Sequence, residues 1–183
     1  LVPDMAGVAR GKYVPARKFP GSEPMRLPES LFIQTVTGQF VEEEVMSPAD
    51  RDMIVRPDLT TLRQVPWAKE PTACVIHDCF EQDGKPMGIA PRQVLQRVLD
   101  LYREAGMVPV VAPEIEFYVV KRNANPDHPL EPSVGRSGRK ETVRQPYGMD
   151  AVDEFEPLIE EIYDFCEMQQ IDADNLIHEM GPA

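Results

Sequence analysis

Residues 112–120 read Ala-Pro-Glu-Ile-Glu-Phe-Tyr-Val-Val, and the two glutamates in this apolar run decide how the rest of the chain is read. In extended backbone successive side chains turn to opposite faces. Glu114 and Glu116 therefore share one face, with Ile115 and Phe117 on the other. Two adjacent carboxylates repel, and they are costly to bury unpaired. Val108, Val110, Val111, Val119 and Val120 surround them and argue for a largely buried strand. Such a strand needs cations on its acidic face, and Mg²⁺ or Mn²⁺ takes carboxylate oxygens. The plainer alternative is a solvent-facing edge with two ordinary glutamates. Glu179, in the short apolar segment L-I-H-E-M-G (176–181), shifts that balance by adding a third acid to a neighbouring strand. His178 faces away from Glu179 by the same alternation and reads as a structurally satisfied histidine.

Working outward, each of these strands follows a helix. Pro91 opens the first, where its missing N–H costs nothing. Val94, Leu95, Val98, Leu99 and Tyr102 recur at helical spacing, and Gly106 ends it. The second runs from about Val152 to Gln170. Phe155, Leu158, Ile159, Ile162, Phe165 and Cys166 form its apolar stripe, and Glu154, Glu160, Glu161, Asp164 and Glu167 face water. Pro157 has to lie in its first turn. Strands are expected over Val108–Val120 and Asn175–Met180. The polar stretch Lys121–Met149 is a long loop whose basic side chains Lys121, Arg122, Arg136, Arg139, Lys140 and Arg144 either clamp an anion or simply face solvent. Earlier in the chain, Val2–Lys18 reads as a hairpin with Gly7 and Gly11 at positive φ. Leu31–Val36 and Cys74–Ile76 are further strand candidates. The alternation of helix and strand gives an α+β class with helices packed on one face of a sheet.

The 183 residues suffice for one ordinary domain or two small ones. A net charge of −12 disfavours nucleic-acid binding, which needs a basic face to displace counterions. No apolar run approaches the roughly 20 residues that span a membrane, and no signal peptide is visible. The three cysteines, Cys74, Cys79 and Cys166, follow no zinc spacing and read as reduced packing residues of a cytoplasmic protein.

P-E-I-E-F-Y-V resembles the P-E-x-E-F motif of the glutamine synthetase superfamily. The helix A-P-R-Q-V-L-Q-R before it and I-H-E-M-G-P-A after it resemble the segments that flank that motif. R-D-M-I-V-R-P-D-L-T-T-L and D-M-A-G-V-A-R-G-K are similar to the family's small N-terminal β-grasp domain. The likeness covers nearly the whole chain in order, the long loop excepted. It implies a β-grasp domain over residues 1–88 and the start of a catalytic domain over 89–183. It also implies an ATP-dependent ligase in which glutamate is phosphorylated at its γ-carboxylate and an amine then displaces phosphate. On the resemblance, Glu114 is a ligand of the metal beside the ATP phosphates. Glu116 and Glu179 are ligands of the second metal, and Asp174 contacts the nucleotide. Subunit rings are expected, because in the family one subunit's N-terminal domain closes its neighbour's site.

Two departures from the family pattern carry information. Ammonia-using members have F-D-G-S-S where this chain has Phe32-Ile33-Gln34-Thr35-Val36, so Ile33 replaces the Asp that binds and deprotonates ammonium. An apolar side chain suits the carbon chain of a larger amine, as in the γ-glutamylpolyamine synthetases, of which γ-glutamylputrescine synthetases are the best-known type. The alternatives are an ammonia-using glutamine synthetase and a non-catalytic homologue. The chain also stops at Ala183, ahead of the family's remaining metal and substrate ligands. The expectation is an N-terminal fragment that is inactive alone and carries an exposed, sticky sheet edge.

Overall fold

A computed structural model describes residues 1–19, 24–40 and 49–181. It divides into two compact units, Leu1–Gln64 with Pro71–Val111, and Val65–Glu70 with Ala112–Ala183.

The first unit opens with the expected hairpin, β1 (Val2–Pro3) paired antiparallel with β2 (Ala9–Arg10). Its turn closes on Asp4, whose carboxylate accepts the N–H groups of Ala6 at 2.9 Å and Val8 at 2.8 Å, and Arg10 Nε at 2.8 Å. Gly7 takes a φ of 77°, as expected. Gly11 does not, and an added Cβ there would make only ordinary contact with Leu1, at 3.4 Å.

A three-stranded antiparallel sheet follows, ordered β3 (Met25–Pro28), β4 (Asp52–Gln64) and β5 (Ala73–Phe80). In register, Leu27 faces Met53 and Val55 faces Cys79, so alternation gathers these apolar side chains on one face. They join Val2, Leu31, Phe32, Met87 and Ala90 in the core. Pro57 is tolerated opposite His77 because His77 donates its own N–H away from it, to the Leu1 carbonyl, so this pairing needs no N–H from Pro57. Between Asp58 and Arg63 the register shifts, and the Thr61 hydroxyl accepts the Ile76 N–H at 2.8 Å in place of a backbone oxygen.

Leu31–Val36 is not the expected strand. Glu29–Ile33 forms a 3₁₀ helix, and Leu31 and Phe32 are both buried. Two consecutive buried side chains fit a turn facing the core, which strand alternation forbids.

The first helix, α1 (Pro91–Glu104), has Pro in its first turn. It ends as expected at Gly106, with φ 69°. Arg92 ties it to the sheet, its Nε 2.8 Å from Asp78 and its Nη2 2.6 Å from Asp58. Its apolar stripe is nonetheless open, with Val94, Leu95, Val98 and Tyr102 exposed.

In the second unit the expected single helix is two, α2 (Met149–Asp153) and α3 (Glu156–Met168). Pro157 can only occupy a first turn, so the helix restarts at Glu156. The predicted stripe of α3 is half-buried and its acids Glu160, Glu161, Asp164 and Glu167 are exposed. Glu154 leaves the acidic face, since its carboxylate accepts the Ser137 N–H at 2.9 Å. The Trp67 ring lies 6.0 Å from that of Phe165. The chain is thus a mixed α and β protein with small sheets and few helices. Among the described residues no helix is long and apolar enough to cross a membrane.

Candidate functional site

The segment carrying Glu114 and Glu116 is neither buried nor laddered, contrary to the sequence reading. Val108, Val110, Val111 and Ile115 are all more than four-fifths exposed. Pairing begins only at its end, where Val119 accepts the Ser133 N–H and Lys121 donates to Glu131. The physical reason is that a buried strand needs strands paired on both sides, and among the described residues none pairs with 112–118. Glu114, Glu116 and Glu179 are exposed, and no described residue gives their side chains a hydrogen bond or ion pair.

The segments that carry these acids do meet at one point. An added Cβ at Gly181 would fall 2.6 Å from the Tyr118 ring, so residue 181 accepts only glycine without displacement. Tyr118 lies two residues beyond Glu116, and Gly181 two beyond Glu179.

The donor set fits a hard divalent cation in kind, since it comprises carboxylate oxygens with no other cation on them. These acids do not close a site by themselves. Among the described residues no group of three His, Cys, Asp or Glu side chains could hold a metal ion.

Asn175–Met180 was expected as a strand and forms no ladder. It is held instead through His178, whose carbonyl accepts the Tyr147 N–H at 2.8 Å. The His178 ring is enclosed, with Nδ1 2.8 Å from the Glu179 carbonyl oxygen and Nε2 3.1 Å from Glu141 Oε2. His178 is thus structurally satisfied, as the sequence suggested. Sequence spacing gave no signal for Glu141, its partner from the long loop.

Three of the loop's six basic side chains are ion-paired at the surface. Lys121 and Lys140 meet Glu131, and Arg136 lies 3.1 Å from Glu156. Asp174 is exposed, with the Asn175 amide donating to it at 2.9 Å. Ile33, half-buried, ends the 3₁₀ turn of the first unit. All three cysteines are free. Burial pushes the Cys79 thiol up to about 12, which leaves it inert as a nucleophile.

The family profile described as "Glutamine synthetase, catalytic domain" matches residues 88–183. Gamma-glutamylputrescine synthetase of Escherichia coli (strain K12) is 31% identical over 191 aligned residues, covering 100% of this chain and 39% of that protein. Glutamine synthetase of Pyrococcus abyssi is 32% identical over 123 residues, 67% of this chain and 25% of that one. A crystal structure described as a novel glutamine synthase homolog superposes with a TM-score of 0.71 at 13% identity, over 99% of this chain and 40% of the other. At that identity the likeness speaks for the fold alone. The chain spans 39% and 25% of the lengths of the two relatives.

Proposed function

Because the chain belongs to the glutamine synthetase family, we propose that the whole protein is an ATP-dependent ligase joining the γ-carboxylate of glutamate to an organic amine such as putrescine, through γ-glutamyl phosphate. One observation carries this reading: the 31% identity to a γ-glutamylputrescine synthetase extends over the entire chain, including the region of Ile33. The half-buried Ile33 side chain offers an amine's carbon chain an apolar wall and offers ammonium no counter-charge. In the same reading the first sheet and its hairpin form a β-grasp domain over residues 1–88. Residues 89–183 begin the catalytic domain, in keeping with a family match that starts at 88.

Glu114, Glu116 and Glu179 are read as carboxylate ligands for Mg²⁺ or Mn²⁺, and Asp174 as a contact to the nucleotide. Their support is their chemistry and their freedom, three exposed acids without partners among the described residues. A bound divalent cation would orient the nucleotide phosphates and offset developing charge. The whole protein is further read as a cytoplasmic homo-oligomer, and the three free cysteines suit a reducing compartment.

The test is ADP release by the whole protein with glutamate, Mg²⁺ and ATP, comparing ammonium with putrescine, longer polyamines and monoamines. Turnover with an organic amine and little with ammonium is expected. A clear preference for ammonium would sink the Ile33 argument and leave an ordinary glutamine synthetase, the activity named for the Pyrococcus relative. No turnover with any acceptor would favour a non-catalytic homologue.

A further inference from the structure

His178 and Glu141 form the most enclosed ion-pairing contact of the second unit, with side chains 10% and 8% exposed. The other ion pairs described in that unit join side chains that are roughly half exposed. Enclosing such a pair is costly, and an apolar pair of similar size would hold the chain as well. A polar pair does one thing an apolar one cannot: it fixes direction, because its bonds are short and angular.

The direction fixed here is that of residue 179. Nε2 of His178 hydrogen-bonds Glu141 Oε2 at 3.1 Å and lies 2.9 Å from Oε1, so the ring is held against the carboxylate. Nδ1 lies 2.8 Å from the carbonyl oxygen of Glu179 itself. The His178 carbonyl accepts the Tyr147 N–H at 2.8 Å, from a residue held at φ 59°. Two carbonyls in succession, those of residues 178 and 179, are therefore anchored to the loop or to a ring that the loop holds. The Glu179 side chain leaves this anchored backbone and is exposed. A carboxylate whose exit is fixed loses less conformational freedom when it meets a cation than one on a free segment.

We infer that His178 is a positioning residue which, bolted to Glu141, holds Glu179 in the orientation that receives a divalent cation. This rests on the reading of Glu179 as a metal ligand. It assigns Glu141, in the long loop, to the support of that ligand.

The experiment is Mn²⁺ binding to the whole protein, read as free Mn²⁺ by electron paramagnetic resonance, with folding followed by circular dichroism. Removing a supporting partner of a metal ligand typically weakens affinity by about ten- to a hundredfold. His178→Ala and Glu141→Ala should each weaken Mn²⁺ binding by about tenfold, the lower end of that range. Glu141→Gln keeps an oxygen acceptor at the same reach and should restore most of the affinity. If His178→Ala fails to fold, the Glu141→Ala and Glu141→Gln pair decides alone. Should the parent bind Mn²⁺ and Glu179→Gln abolish binding while Glu141→Ala binds like the parent, the positioning role is overturned and the metal site stands. Should Glu179→Gln bind as well as the parent, the metal reading falls and the positioning role with it.

Discussion

In the first unit nine apolar side chains close into one core around the start of β4. In the second, Ala151 is the one fully buried apolar residue among those described, while Ile115, Tyr118 and Leu130 lie open. The second unit is held instead by directional contacts: the His178–Glu141 pair, the Glu154 cap on Ser137 and the ring contact of Trp67 with Phe165. The first arrangement gains stability in proportion to area removed from water. The second gains little per contact, and what it specifies is direction. The exposed carboxylates Glu114, Glu116 and Glu179 lie in the unit built in the second way.

The largest effect should come from breaking the closed core. Met53 is fully buried, so Met53→Ala should cost about 2–5 kcal/mol. Urea unfolding, with hydrogen exchange at the amides of β3, β4 and β5, would measure it. The matching change in the open region, Ile115→Ala at a residue 84% exposed, should move the stability of this chain by less than about 0.5 kcal/mol. Equal losses at the two positions would erase the distinction between the units.

Next comes a tight apposition within the open unit. Gly181→Ala drives a methyl against the Tyr118 ring and should cost about 1–3 kcal/mol. Combining it with Tyr118→Ala removes the obstacle and should recover much of that loss. If the single change is silent by thermal unfolding, residues 118 and 181 are not pressed together.

The first helix was legible in sequence because its signals are local, while the second was read as one element where there are two. Pro91, Gly106 and Pro157 act through their own backbone, whatever surrounds them. The hairpin turn at Gly7 was legible for the same reason. What failed depended on neighbours. The apolar run 108–120 predicts burial only if strands flank it, and sequence cannot say which segments do. Leu31–Val36 misled because an apolar run serves a buried 3₁₀ turn as well as a strand. At the candidate site the sequence singled out Glu114, Glu116 and Glu179 but read them on buried strands, whereas all three are exposed. The support behind Glu179 was not legible, because Glu141 and His178 are 37 residues apart and no periodicity connects them.

A smaller effect separates the units by pH. Burial by itself would raise the Asp4 carboxyl, but the bonds it accepts from Arg10, Val8 and Ala6 outweigh this and hold it below its ordinary value. A carboxylate lowered on folding contributes stability above its unfolded pKa of about 3.9 and loses it as pH falls through the folded value. The β1–β2 hairpin should therefore loosen on acidification below about pH 4, read as a fall in the protection of the Ala6 and Val8 amides relative to their unstructured exchange rates. Asp4→Asn should flatten that dependence. Protection that ignores pH in both proteins would show that Asp4 is not what closes the turn.

The smallest expected effect lies at two helix ends that share one geometry. After α1, Met107 donates to the Tyr102 carbonyl at 2.9 Å and Gly106 to Arg103 at 3.0 Å. After α3, Ile171 donates to Cys166 at 2.8 Å and Gln170 to Glu167 at 2.9 Å. Both locks need a left-handed residue, and φ is 69° at Gly106 and 57° at Gln170. Gly106 has open space where a Cβ would stand, so Gly106→Ala should cost only the backbone penalty, about 1 kcal/mol. Gln170 already bears that penalty. Gln170→Gly should relieve it, less the extra freedom glycine gives the unfolded chain, for a net gain of about 0.5 kcal/mol. Urea midpoints moving in opposite directions would show that the two units differ in how well their sequences meet the same backbone demand. A loss at both positions would instead mean that the Gln170 side chain supports α3 by more than its backbone.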